Sequence, residues 1–164
     1  MDTLQQLKNE LTAEYETTKK FLALFPEGKN DYRPHEKSMK MMPLANHIAE
    51  VFGWPPIILN SSDLNFEDMP PSQLPEQPAQ LLEVLETGYK NGMAALEKAT
   101  EEDLLPTWSI SMGDQKLNEW TKYGAIRHGL CQITHHRAQL GVYYRLLDIP
   151  LPNSYGPSAD SQGF

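Results

Sequence analysis

Apolar side chains recur every third or fourth position along most of this chain, and that period confines it to a helical architecture. Residues 4 to 25 place Leu4, Leu7, Leu11, Tyr15, Phe21, Leu22 and Phe25 on one face, with Glu and Lys between them and Pro26 and Gly28 as stop signals. From a Ser38 cap, a shorter segment aligns Leu44, His47, Ile48 and Val51 and should stop near Gly53, ahead of Pro55 and Pro56. Pro43 fits that segment only in the first turn, where its missing N–H would have no partner. Pro78 opens a third helix whose stripe is Leu81, Leu82, Leu85, Tyr89, Met93 and Leu96, ending near Thr100. Thr121 caps a fourth and longest helix that runs to about Leu147, closed by Asp148, Pro150 and Pro152.

Between these helices the pattern changes. Residues 60 to 78 are rich in Ser, Asp, Asn and Pro and read as a long connection, with one short helical turn around Ile57 to Leu59. Trp108, Ile110 and Met112 alternate up to Gly113-Asp114, then Leu117 follows, which is a hairpin signature. The expected fold is therefore all-α: a four-helix bundle with a long crossover connection and a small hairpin insertion before the last helix. Residues 1 to 164 form one domain in this reading, with the tail from 150 to 164 packed on the bundle end. Gly88 and Gly92, four residues apart, predict a close neighbour.

Composition removes several function classes. A chain of 164 residues can build one core without disulfides. Its formal net charge of -8, with no basic stripe, argues against nucleic acid as a partner. Cys131 is the single cysteine, the opening residues lack the apolar run of a signal peptide, and no window reaches the ~20 apolar residues of a membrane span. A soluble protein of the reducing cytoplasm is expected, with no membrane partner.

The fourth helix carries an unusual polar run: His128, Cys131, Gln132, His135, His136, Arg137 and Gln139. At 3.6 residues per turn, His128, Gln132, His135, His136 and Gln139 fall within an arc of roughly 100°. Polar groups on a helix that must also bury itself require partners, either one another or a shared divalent cation. His47, set among Leu44, Ile48 and Val51, faces inward from the second helix. Facing helices of a bundle can deliver such groups to one point, so His47, Gln132 and His136 are the candidate metal ligands, with His128, His135 and Gln139 as possible pocket residues. The competing reading is a buried hydrogen-bond network of the same groups.

Other residues have plainer readings. Cys131 is expected to be a small apolar core residue rather than a thiol ligand, and Arg137 to pair with a carboxylate on a neighbouring helix rather than with an anionic substrate. Trp108 and Trp120 flank the hairpin and can either line a pocket mouth or simply pack. No acid lies within the stripe to act as general base; Glu50 and Glu119 are the nearest in sequence.

Four segments carry a family resemblance: Ser38-Met-Lys-Met-Met-Pro-Leu-Ala-Asn-His-Ile-Ala-Glu around His47, His135-His136-Arg137-Ala138-Gln139-Leu140, Tyr143-Tyr144-Arg145-Leu146-Leu147, and Tyr155-Gly156-Pro157-Ser158-Ala159-Asp160. Together, in this order, they resemble the DinB family of damage-inducible-type proteins. The resemblance implies a four-helix bundle of unusual connectivity, commonly a homodimer, holding a divalent metal, Zn or Ni, on three histidines. It also implies thiol-dependent transferase or isomerase chemistry in some members and no assigned activity in many. One ligand would match His47 and another His136, but position 132, where the third should stand, is Gln. A carboxamide oxygen is a weaker, neutral ligand, and His128 lies about two turns, or roughly 12 Å, from His136. Two functions follow as expectations. One is a metal-dependent transferase or hydrolase acting on an unknown small molecule, with a thiol as the candidate class. The other is a non-catalytic, dimeric stress-response or interaction protein with a degenerate site, using Gly88, Gly92 and the apolar face of the first helix as a subunit contact.

Overall fold

The computed structural model describes residues 2–70 and 73–162. Five helices are formed: α1 (Thr3–Leu22), α2 (Met41–Val51), α3 (Trp54–Asn60), α4 (Pro78–Lys98) and α5 (Lys122–Leu146). Three strands accompany them: β1 (Asp63–Asn65), β2 (Thr107–Met112) and β3 (Gln115–Thr121). The all-α expectation is thereby corrected to a mostly helical fold with a small three-stranded sheet.

Four helices pack as a bundle in the cyclic order α1, α4, α2, α5, with α1 and α2 barely touching across the diagonal. The chain thus crosses the bundle between α1 and α2 and again between α4 and α5. α2 is the most enclosed element, with Met41, Met42, Leu44, Ala45, Ile48, Ala49 and Val51 all buried. Each large side chain closed off there contributes on the order of 1.5–3 kcal/mol. Ser38 does not cap α2. Lys40 holds the cap position, and the Met41 and Met42 N–H groups donate instead to Tyr32 O (2.8 Å) and Asn30 O (3.0 Å) of the preceding loop. Main-chain carbonyls satisfy the helix end, so no polar side chain is needed. Pro43 does fall in the first turn.

The Pro55-Pro56 pair, read as a stop, lies in the first turn of α3, where proline removes no helical hydrogen bond. α3 is accordingly longer than the single turn expected. The connection that follows is not structureless: β1 pairs in parallel with β2, Leu64 opposite Ile110, before a 3-10 turn over Phe66–Asp68. A three-residue strand is too short to show alternation, which is why the pattern did not reveal it. The hairpin is present, with Trp108 opposite Trp120 and Gly113 at φ +56° in its two-residue turn.

Gly92 and Gly88 bring α4 onto the α2–α3 junction. A Cβ at Gly92 would meet Phe52 O at 2.4 Å, and one at Gly88 would meet Gly53 N at 3.1 Å. These glycines serve close contacts inside the chain.

Thr121 caps α5, its Oγ1 accepting from Gly124 N at 3.1 Å. At the far end Asp148 adopts φ +57°, and Ile149 N donates to Tyr144 O while Asp148 N donates to Arg145 O. This is a Schellman motif with aspartate where glycine is usual. Beyond it the chain turns back along the bundle: Asp160 pairs with Arg145 at 2.5 Å and accepts from Leu151 N, and Tyr155 donates to Glu14. Gly163 and Phe164, the end of the expected tail, lie outside the described residues.

Candidate metal centre

His47 reaches the site because α2 is buried on nearly every side. Its neighbours Asn46 and Ile48 are closed to solvent, while the His47 ring itself is half-buried and turned toward α5. Burial pushes its imidazole below the ordinary histidine value. The neighbouring His136 charge acts in the same direction, and Glu50 opposes both. The ring is neutral at pH 7, the state in which imidazole binds a metal.

The structure brings His47 and His136 together, edge to face, with ring centres 4.9 Å apart and planes at 78°. Two imidazoles on one tetrahedral ion, each nitrogen ~2.0–2.1 Å from it, hold their ring centres roughly 5 Å apart, so the pair is spaced for a shared cation. His136 Nδ1 lies 2.9 Å from Gln139 Oε1. The carboxamide oxygen can only accept, so Nδ1 donates to it and Nε2 is the nitrogen left to face a cation. Gln139 Nε2 in turn donates to His135 Nε2 at 3.1 Å. His135 and Gln139 are exposed, so these two expected pocket residues form the outer rim.

Gln132 stands one turn from His136 on α5. Its amide nitrogen meets His128 Nε2 at 3.2 Å, so the oxygen is the end left over for a cation. Among the described residues no three His, Cys, Asp or Glu side chains gather at one point. The structure thus brings two imidazoles, His47 and His136, together, while Gln132, one turn away on α5, contacts His128.

His128 belongs to a different neighbourhood. It stacks on Trp120 with ring centres 4.7 Å apart and planes at 28°, and together they line an apolar cleft with Trp54, Ile57, Ile58 and Trp108. Burial lowers the His128 imidazole as well. Trp54 escaped the sequence reading, although it follows His47 by seven residues, two turns along one helical face. Reading Pro55-Pro56 as a terminator hid that relation. The Trp54 ring lies 6.0 Å from that of His47.

The remaining candidates separate. Cys131 is exposed rather than in the core, since it sits on the outer side of α5. Arg137 is buried and pairs with Glu14 of α1 at 2.5 Å, away from the imidazole pair. Glu50 is exposed and close enough to His47 to favour its charged form. Glu119 is on β3, paired with Lys116.

No helix among the described residues is long and apolar enough to cross a membrane. Comparison with solved structures finds a DinB-like protein, YjoA, from Bacillus subtilis, 21% identical, with a TM-score of 0.70 over 96% of this chain and 99% of that one. A protein from Exiguobacterium sibiricum assigned to the DinB family is 19% identical, with a TM-score of 0.68 over 93% of this chain and 97% of that one. At these identities the likeness is one of fold. No curated protein matches the chain significantly. The model of the DinB family matches residues 1–162. With the match spanning nearly every residue and the same fold found in both solved structures, the chain belongs to the DinB family.

Proposed function

We propose that this protein binds a divalent metal, Zn or Ni, through His47 and His136, with Gln132 or water completing the set, and acts on a small molecule by thiol transfer or hydrolysis. The observation that carries this reading is the edge-to-face approach of the two imidazoles from α2 and α5, 4.9 Å between centres. Each ring is prepared for the role: burial keeps His47 neutral, and Gln139 fixes the His136 proton on Nδ1. When bound, the ion supplies a Lewis acid that draws a thiol or water toward ionisation near neutral pH. Gln132 gives a neutral third donor, which leaves the ion's charge less compensated than a carboxylate would. His135 and Gln139 at the rim leave the approach from solvent polar. The reading also takes the protein to be a homodimer, as the family resemblance implies, and cytoplasmic, where an exposed Cys131 stays reduced.

Metal analysis of untagged protein, purified without chelator or a metal affinity column, tests the proposal. Stoichiometric metal is expected, lost in His47→Ala and in His136→Ala with a lowered melting temperature. Metal-free wild-type protein, with melting unchanged in His136→Ala, overturns it.

A second reading, a non-catalytic bundle serving as a stress-response or interaction protein, draws support from the same set of donors. A third histidine or carboxylate is missing from the cluster among the described residues. The metal analysis decides between the two readings.

A further inference from the structure

We propose that Trp54 is a positioning residue whose indole holds the His47 ring in the direction of His136. Its use rests on the metal reading of the site, but its geometry does not. The two imidazoles are oriented by different means. On α5 the contact is polar, His136 Nδ1 donating to Gln139 Oε1 at 2.9 Å. For His47 the contacts are rings: Trp54 with centres 6.0 Å apart and planes at 66°, and His136 at 4.9 Å and 78°. Both are edge-to-face, an arrangement that aromatic rings favour over a face-to-face sandwich.

A histidine on a helix has two main χ1 rotamers open to it, and within each a broad choice of ring orientation. On α2 the His47 ring is half-buried, so its own helix does not impose one direction. Packing against a rigid neighbour does, by favouring the orientation that keeps the contact.

Trp54 is rigid enough to serve. It is the first residue of α3, and Pro55 and Pro56, whose φ angles are fixed, follow it directly. Its six-membered ring lies on the bare backbone of α5 at Gly129, where a Cβ would stand 3.4 Å from Trp54 Cε3 and 3.5 Å from Val51 Cγ1. The space remaining among Trp54, Val51, Leu11, Leu96 and Ile133 is about 10 Å³, too little to let an indole swing. Anchored to α5 at Gly129, two turns before His136, the indole ties the direction of the His47 ring to the helix that carries its partner.

Nuclear Overhauser measurements on metal-free protein, followed by zinc titration, test this role. Wild-type protein should show cross-peaks from the His47 ring protons to the Trp54 indole and to the His136 ring. In Trp54→Leu the His47–His136 cross-peak should be lost. Zinc affinity, measured by competition with a chromophoric chelator, should fall about tenfold in the same variant. Trp54→Phe keeps a ring at the position and should restore both, whereas Trp54→Met, which fills similar space without a ring, should not. Thermal melts identify the folded variants, and Trp54→Met carries the test if Trp54→Leu does not fold. The role is overturned if wild-type protein lacks the His47–Trp54 cross-peak, or if folded Trp54→Leu or Trp54→Met protein keeps the His47–His136 cross-peak of the wild type. Zinc that fails to bind wild-type protein removes the metal reading instead, and the cross-peaks still decide whether Trp54 sets the ring.

Discussion

Arg137 on α5 and Glu14 on α1 form an ion pair of 2.5 Å, with their side chains only 3% and 6% exposed. The same guanidinium donates to Thr18 Oγ1 at 3.0 Å, and Tyr155 from the C-terminal segment donates to the second Glu14 oxygen. Arg137 Nη1 and both carboxylate oxygens of Glu14 are thereby bonded, which favours tolerance of a buried pair. Glu14→Ala should destabilise the fold by about 3–5 kcal/mol, because it strands a buried cation. Glu14→Leu combined with Arg137→Met should recover most of that loss. Urea unfolding of the single and double variants checks both; equal losses in the two would refute the argument.

The identity of residue 132 sets metal affinity if the imidazole pair holds an ion. Gln132→His should tighten Zn or Ni binding at least about tenfold, since imidazole outranks a carboxamide as a donor to either. Gln139→Leu should weaken it by roughly 10- to 100-fold through loss of the His136 orientation. Competition titration against a chromophoric chelator measures both. Nitrogen NMR of His136 in the metal-free Gln139→Leu protein should show the Nδ1–H tautomer losing its dominance.

Acid should weaken the metal-free protein through its buried imidazoles. His47 and His128 are both held below the ordinary histidine value, the first by burial reinforced by His136 and the second by burial. The unfolded chain then binds protons that the folded chain resists, so stability is full above about pH 6.5 and falls as pH drops toward the folded values. The urea midpoint of chelator-treated protein should therefore decrease between about pH 7 and pH 5, and decrease less in His128→Asn. A flat profile over that range would contradict the assignment.

Two backbone positions should respond in opposite directions. Gly92→Ala presses a methyl group to 2.4 Å from Phe52 O, a main-chain atom that cannot swing aside, and should cost about 3 kcal/mol. Asp148→Gly relieves a left-handed residue at φ +57° and should add ~1 kcal/mol. Thermal melts of both variants are sufficient, and a stabilised Gly92→Ala would mean that α4 does not press on the α2–α3 junction.

Much of the helical framework is local and was legible. The starts of α4 and α5 are encoded by Pro78 and Thr121, and the hairpin by alternation around Gly113-Asp114. Where the reading missed, the deciding contact was distant in sequence. Lys40 rather than Ser38 precedes α2 because loop carbonyls reach its first amides, and Pro55-Pro56 falls in the first turn of a helix that packs against α4 and α5. β1 exists only because β2, more than forty residues later, offers it an edge.

The site divides in the same way. Periodicity alone determined that His47 faces inward from α2 and that α5 carries a polar stripe, because side-chain direction along a helix follows from its period. Which members of the stripe would meet was decided only by packing. The placement of α2 beside α5 joined His136 to His47, while the sheet drew His128 onto Trp120 and the first helix claimed Arg137 through Glu14. A helix fixes the direction of its side chains, but their partners depend on which neighbour lies against each face, and that is settled by burying the apolar surface of the whole chain at once.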